Sequence, residues 1–251
     1  MSEQSDDEEY GSQGSEESED SADQVPMETQ LVQRTFDSQH RSVVRILVRG
    51  DGNKNSMCSG CVAHNNGAAC SVLTTYHIFK RFSQDNMQVS VLFHGMDKEV
   101  PAKVLIAEPD KDLAVLLVAE AVPLFPPVEF SDEVDLSGRY VVMMGFFGLD
   151  CHSMVVEPGA SIGRIMSEPF IYKGVPSFEC FYANHTIEVG TSGGPVFLDE
   201  KVVGVNMEAD IGKVSAISMN TVKWVLKSRI AGDNVQDLTI PAMLQQIASQ
   251  S

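Results

Sequence analysis

One stretch of this sequence joins a serine to the glycines that a sharply turning backbone requires. Ser192 has Gly190 on one side and Gly193 and Gly194 on the other, and a β-type run follows. Glycine permits the unusual φ values and the close approaches of such a turn. A loop of this kind can present the Ser192 hydroxyl while the amides of Gly190 and Ser192 converge on one point, as oxyanion stabilisation in acyl transfer requires. The sequence therefore indicates a nucleophile loop, with a plain glycine-rich hairpin as the alternative.

Two upstream segments supply side chains that would activate a serine. An apolar, β-branched run ends in His77, and an acidic turn with Asp110 and Asp112 leads into a second apolar run. Both runs are typical of buried strands. Histidine is the base whose ordinary pKa lies near neutrality, so His77 is the candidate base and acid, and a carboxylate would hold its tautomer. We predict Asp112 for that role because it directly precedes the apolar run, with Asp110 as its rival.

The order of His77, Asp112 and Ser192 along the chain is that of the chymotrypsin-type triad. With its surrounding segments the chain resembles the trypsin-like serine peptidases, and it is most similar to the protease domain of the HtrA (high-temperature-requirement) group. Four segments have the matching pattern, and with their flanking strands they cover roughly residues 40–230: 72–77, 112–118, 141–149 and 190–196. The resemblance implies a serine endopeptidase that cleaves peptide bonds through this triad and an acyl-enzyme, with the Gly190 and Ser192 amides as its oxyanion hole.

The resemblance also implies an all-β fold of two six-stranded antiparallel β-barrels with a C-terminal helix. The sequence agrees, because short β-type runs recur between turns at intervals of about ten residues. The segment 220–230 instead has helical spacing, with Asn220 as its N-cap candidate. We expect a disordered acidic tail over 1–34, a protease domain over 35–232 and a C-terminal extension over 233–251, which is too short for a PDZ domain.

The tail holds most of the negative charge. Residues 1–30 contain eleven acids and no Lys or Arg, and they contribute −11 of the formal net charge of −17. Such a composition is typical of disordered segments. The remainder of the chain is only mildly acidic, which argues against a nucleic-acid partner. The tail is interpreted as a solubilising extension, with an interaction segment as the alternative.

Substrate specificity is predicted only from alignment with the family motif. It places Thr186 at the base of the primary pocket and Ala183, Met207 and Glu208 near its wall. A small polar base without an acid argues against strict cleavage after Lys or Arg. Thr191 stands where digestive relatives have the acid that captures a newly cut N-terminus, so we expect no activation by that route. Other contacts must then order the loop, either a Thr191 hydroxyl bond to neighbouring backbone or assembly with other subunits.

The five cysteines favour a reduced protein without a metal site. Their number is odd and no export signal is visible, so free thiols are expected. Cys58 and Cys61 lack the second ligand pair of a tetrahedral zinc site, so zinc is disfavoured. The family has a small Gly/Ser stretch at the position of Ser59 and Gly60, so the two cysteines are interpreted as strand residues. We expect no metal and no other cofactor.

The chain has neither a run of the ~18 apolar residues that a membrane helix needs nor a recognisable signal or transit peptide. We therefore expect an intracellular protein, cytoplasmic or nuclear, with polypeptide substrates, no nucleic-acid or membrane partner, and homo-oligomer formation left open. Two other functions compete. A catalytically inactive trypsin-fold protein could bind peptides or act as a scaffold, but the intact His77, Asp112 and Ser192 count against it. A viral-type cysteine protease is disfavoured by the serine at 192.

Overall fold

The computed structural model describes residues 25–119, 125–148, 157–172, 178–210, 213–230 and 237–250; at Asn53, Gln84 and 208–210 it describes the backbone alone. Its N-terminal half contains a closed barrel of six antiparallel strands: β1 (Val43–Arg49), β2 (Asn55–Asn65), β3 (Cys70–Thr75), β4 (Gln88–Leu92), β5 (Val100–Glu108) and β6 (Leu113–Val118). The strands pair in the order β1-β2-β3-β6-β5-β4, and β4 pairs back with β1. The first expected barrel is therefore confirmed.

The second half is a larger sheet of eight strands: β7 (Glu129–Phe130), β8 (Tyr140–Gly145), β9 (Gly159–Arg164), β10 (Phe170–Tyr172), β11 (Phe178–Ala183), β12 (Pro195–Leu198), β13 (Lys201–Asp210) and β14 (Lys213–Ser218). The order is β10-β11-β14-β13-β12-β8-β9, and β7 pairs parallel to β13. Just beyond β9, an isolated bridge joins Ile165 to Ala183 of β11. This bridge brings the two ends of the sheet together, as in the expected two-barrel fold, and the described residues place eight strands in this half where six were expected.

The apolar runs of β3 and β6 are continuous because both of their faces are buried. Alternate side chains point to opposite faces of a strand. In β6, Ala114 and Leu116 belong to a cluster formed wholly by the first half, whereas Leu113 and Val115 belong to a cluster shared with the second half and the C-terminal helices. β3 and β6 therefore lie between the barrel interior and the neighbouring sheet, where the two halves of the molecule meet.

The described residues also form three α-helices: α1 (Met27–Gln39), α2 (Met219–Lys227) and α3 (Ile240–Ala248). The expected closing helix is α2, but its N-cap is Ser218, whose side chain accepts from the Thr221 amide, and not Asn220. Thr239 caps α3 in the same way. No helix in the described ranges is both long enough and apolar enough to cross a membrane.

The expected domain boundaries need two corrections. α1 begins at Met27, so the C-terminal part of the segment expected to be a disordered tail over 1–34 is helical. It is tied to the second half, because the Tyr140 hydroxyl donates to Glu28 at 2.9 Å. Residues 1–24 lie outside the described ranges. The expected extension over 233–251 contains α3, whose buried Met243 and Leu244 belong to the shared core.

Candidate active site

His77 and Asp112 meet at two points. The His77 Nδ1 atom lies 2.7 Å from Oδ2 of Asp112, and the His77 main-chain amide donates to Oδ1 at 2.6 Å. Because an ionised carboxylate only accepts hydrogen bonds, Nδ1 is the protonated nitrogen and Nε2 keeps its lone pair. That tautomer is the one a general base requires when the base works through Nε2. The predicted pairing of these two residues is therefore present in the structure.

Strand pairing explains why these residues come together. Thr75 at the end of β3 pairs with Leu113 at the start of β6, so the residues just beyond this pair are neighbours. The Tyr76 amide continues the ladder by donating to the Asp112 carbonyl at 2.9 Å. Asp112 itself has a φ of 51°, a left-handed conformation that Asp tolerates better than most residues.

The rival carboxylate lies elsewhere. Asp110 is exposed within a short 3-10 turn, Pro109–Lys111, that precedes Asp112. The turn directs Asp112 back toward β3, while Asp110 faces solvent. Between the two acids, the geometry selects Asp112.

The Ser192 loop reaches the end of β3 from the opposite half. The Ser59 amide of β2 donates to the Ser192 carbonyl at 2.9 Å. A Cβ added to Gly193 would lie 2.2 Å from the Thr74 Oγ1 atom and 2.3 Å from the Ser59 carbonyl oxygen, and the φ of Gly193 is 80°. Only glycine fits this position, as the sequence pattern predicted. Ser192 therefore lies against the strand that ends next to His77.

The Ser192 side chain is half-buried, and its Oγ atom donates to the Met207 carbonyl at 3.4 Å. In the described part of the chain it makes no hydrogen bond to His77. The bond to Met207 is long and easily exchanged, because N–H and O–H donors normally lie within about 3.2 Å of their acceptors. Catalytic hydrogen bonds are often loose without substrate and tighten on its binding.

Thr191 orders the loop that precedes the serine. It is buried, its hydroxyl donates to the Glu188 carbonyl at 2.8 Å, and its amide donates to the same oxygen at 3.1 Å. Of the two expected ways to order this loop, the Thr191 hydroxyl bond is therefore confirmed. The Gly190 and Ser192 amides donate to no other residue within the described ranges.

The buried side chains of Asn206 and His185 form a hydrogen-bonded chain that ends at Thr191. The sequence did not predict this role for either residue. Asn206 donates through Nδ2 to the Thr191 carbonyl at 3.0 Å, and its Oδ1 lies 3.2 Å from Nε2 of His185. Since Oδ1 can only accept, His185 is protonated on Nε2, and its buried Nδ1 has no partner among the described residues. Burial accordingly lowers the pKa of His185.

The predicted pocket residues fall into three groups. Met207 is buried, and its carbonyl contacts Ser192 at a β-bulge between β13 and β14. Thr186 is exposed, and its amide donates to the Ser161 hydroxyl at 2.8 Å, so its place at the base of a pocket stays a prediction. The side chain of Glu208 lies outside the described part of the structure.

Cys58 and Cys61 are buried strand residues, as interpreted from the sequence. Being three positions apart in β2, they point to opposite faces, and they belong to different core clusters. Burial raises the pKa of each thiol to about 12. The two thiols therefore stay protonated and do not converge on a common ligand.

Comparison with known proteins agrees with this geometry. Residues 58–205 match the family model described as a trypsin-like peptidase domain. The active form of the Rv3671c protease from M. tuberculosis superposes with a TM-score of 0.65 at 24% identity, covering 85% of this chain and 90% of that one. The Deg5 structure gives 0.64 at 22% identity, with 79% and 93% covered.

A third solved structure, the serine endoprotease from Yersinia pestis, gives a TM-score of 0.63 at 18% identity, covering 82% of this chain and 67% of that one. At such identities the likeness is one of fold, and at that level the expected similarity to the HtrA group is met. No curated protein sequence matches the chain significantly.

Proposed function

Because the chain belongs to the family of trypsin-like peptidase domains, we propose that it is a serine endopeptidase whose catalytic triad is His77, Asp112 and Ser192. The observation that supports this most strongly is the two-point contact between His77 and Asp112. One carboxylate oxygen orients the imidazole, and the other fixes the backbone on which the imidazole stands. Such an arrangement leaves Nε2 as the basic nitrogen of His77.

The reaction then proceeds in two acyl-transfer steps. The Ser192 Oγ atom attacks the peptide carbonyl while Nε2 of His77 takes its proton, and Asp112 stabilises the imidazolium. The amides of Gly190 and Ser192 stabilise the oxyanion. Collapse breaks the C–N bond, and His77 returns the proton to the leaving amine. A water molecule, activated by His77 in the same way, hydrolyses the acyl-enzyme and releases Ser192.

The competing function is that of an inactive peptide-binding scaffold, which would not require the contact between His77 and Asp112. A binding module gains nothing from a left-handed Asp112 with both carboxylate oxygens directed at a histidine. It also gains nothing from a buried Thr191 that orders two free amides. These features favour catalysis.

The test is hydrolysis of labelled casein by purified protein and its Ser192→Ala variant. We expect cleavage by the wild type and its loss in the variant, with little change in thermal unfolding, because a nucleophilic serine contributes chemistry more than packing. Ser71→Ala is the matched control, since that hydroxyl is buried in β3 without a hydrogen-bond partner among the described residues. Equal cleavage by wild type and Ser192→Ala would refute the assignment.

The residues proposed for the primary pocket are Thr186, Met207 and Glu208. The contact between the Met207 carbonyl and Ser192 supports a wall position for Met207. With no acid at Thr186, we propose that cleavage does not require Lys or Arg before the scissile bond. Profiling the products of a mixed peptide library measures this directly, and cleavage confined to Lys and Arg sites would contradict it.

We propose a reducing, intracellular compartment as the place of action. Its support is that Cys58, Cys61, Cys70 and Cys180 are all buried free thiols. The absence of nucleic-acid and membrane partners and the formation of a homo-oligomer stay predictions, and sedimentation of the purified protein measures the last of them.

A further inference from the structure

Ser59 is a residue of the first barrel that is hydrogen-bonded to two segments of the second half. It lies in β2 and is fully buried. Its hydroxyl donates to the Gly190 carbonyl at 2.7 Å and accepts from the Phe146 amide at 2.8 Å. A hydroxyl is one of the few side-chain groups that can donate and accept at once. The Ser59 side chain therefore links the nucleophile loop to the segment that follows β8.

The main chain of Ser59 adds a second link to the same loop. Its amide donates to the Ser192 carbonyl at 2.9 Å. Gly190 and Ser192 are the two residues whose amides are proposed to form the oxyanion hole. Both of them are thus bound through their carbonyl oxygens to Ser59, one by its side chain and one by its main chain.

The side-chain bond matters most at Gly190. The φ of Gly190 is 101°, in a region that glycine adopts freely and leaves freely. The peptide unit that follows it is held at both edges, since the Gly190 carbonyl accepts from Ser59 and the Thr191 amide donates to Glu188. Without the Ser59 hydroxyl, the Gly190 carbonyl loses its hydrogen bond, and only the Thr191 amide still anchors this peptide unit.

The Ser59 hydroxyl is closely surrounded. Ser59 is fully buried, and a Cβ added to Gly145 would lie 2.8 Å from its Oγ atom and 3.4 Å from the Thr191 Cα atom. Removing the hydroxyl leaves the buried Gly190 carbonyl and the buried Phe146 amide without a partner. Unpaired buried groups are costly, so the loop is expected to move until they find new ones.

We infer that Ser59 is a positioning residue for the oxyanion hole: its hydroxyl holds the Gly190 carbonyl and so fixes the peptide unit on the C-terminal side of the Gly190 Cα atom, from which the Gly190 amide is aimed at the reacting carbonyl. This inference rests on the proposed function, since it concerns the same acyl-transfer site. Oxyanion donors accelerate a reaction only when they are oriented in advance. Ser59 does not touch substrate in this account, and it acts through Gly190.

The experiment measures acylation by p-nitrophenyl acetate and labelling by a fluorophosphonate in wild type, Ser59→Ala, Ser59→Cys and Ser71→Ala. We expect the acylation rate constant to fall about 10- to 100-fold in Ser59→Ala, less than for loss of a direct oxyanion donor. Ser59→Cys keeps the shape and a weak donor, so its rate lies between the two. Ser71→Ala removes a buried hydroxyl without a described partner and behaves as wild type.

Two further readouts separate positioning from loss of structure. The concentration of ester at half-saturation stays unchanged while the acylation rate falls, because ground-state binding does not use the oxyanion donors. Thermal unfolding of each variant, measured alongside, shows that the assay temperature lies below its transition. A variant that was only less stable would regain the wild-type rate on cooling, and that result would overturn the inference.

The outcomes distinguish this inference from the proposed function. An active wild type with Ser59→Ala rates within about twofold of it overturns the role of Ser59 alone. If Ser59→Ala does not fold, Ser59→Cys decides, and a rate equal to that of wild type overturns the inference. A wild type that is neither acylated nor labelled overturns the proposed function and the inference with it.

Discussion

Asp112 is placed by its backbone as much as by its charge. Its left-handed φ of 51° ends the 3-10 turn and brings the carboxylate under His77, where both oxygens accept a hydrogen bond. The neighbouring Asp110 has the same chemistry and an exposed position. These two acids therefore form a natural pair of target and control.

We predict that Asp112→Asn lowers kcat/KM by about 10³- to 10⁴-fold, because the amide no longer fixes the tautomer that leaves Nε2 free. The same substitution at Asp110, which only removes an exposed charge, leaves kcat/KM near the wild-type value. Steady-state hydrolysis of one peptide or ester substrate by both variants measures this. Equal losses in both variants would mean that neither carboxylate has a specific role.

A second residue-scale prediction concerns His185. Burial lowers its pKa from the ordinary value of 6.5, so the folded protein resists protonation that the unfolded chain accepts. Its contribution to the free energy of unfolding is therefore complete above pH ~6.5 and declines as the pH falls toward the lowered pKa. Denaturant unfolding between pH 7.5 and about 5 should show a shallower decline in His185→Gln than in wild type. Identical slopes would show that His185 does not titrate differently in the two states.

At the scale of elements, the sequence was informative where the pattern is local. The apolar runs of β3 and β6 predicted buried strands, and their pairing brings together the residues at their ends. The hydrogen bonds of Ser59 and Asn206 to the nucleophile loop, and that of His185 to Asn206, were not predictable in this way. The Ser59 bond joins residues 131 positions apart in sequence, and only the packing of the two halves creates it.

Helix α1 is a second feature that the local sequence pattern did not predict. Its first turns fall in an acidic segment whose composition indicates disorder. Leu31, Val32 and Phe36 nevertheless pack against the shared core, so tertiary contacts decide the conformation. The helix exists because the second half offers it an apolar surface.

Two deletions test the role of α1. Removing residues 1–24 should leave the free energy of unfolding nearly unchanged, since this acidic composition cannot bury much apolar surface. Removing residues 1–39 should lower it by roughly 3 kcal/mol, the expected loss for three partly buried apolar side chains. Denaturant unfolding of the two truncated proteins gives the comparison. An equal effect of both deletions would mean that α1 does not stabilise the fold.

At the scale of the whole molecule, the site depends on two halves that meet. The first supplies His77, Asp112 and Ser59, and the second supplies the Ser192 loop. Thr191 and Ser59 already order that loop without any new N-terminus. We therefore predict that the chain of residues 1–251 is competent without prior cleavage.

The most direct measurement is fluorophosphonate labelling of uncleaved protein that comprises residues 1–251, followed by mass spectrometry of its peptides. We predict one labelled residue, Ser192, with labelling lost in Ser192→Ala and strongly slowed in His77→Ala, because the probe reacts only with an activated serine. Labelling should need no prior cleavage. Absence of labelling, its retention in Ser192→Ala, or its appearance only after cleavage near residues 30–42 would contradict the account.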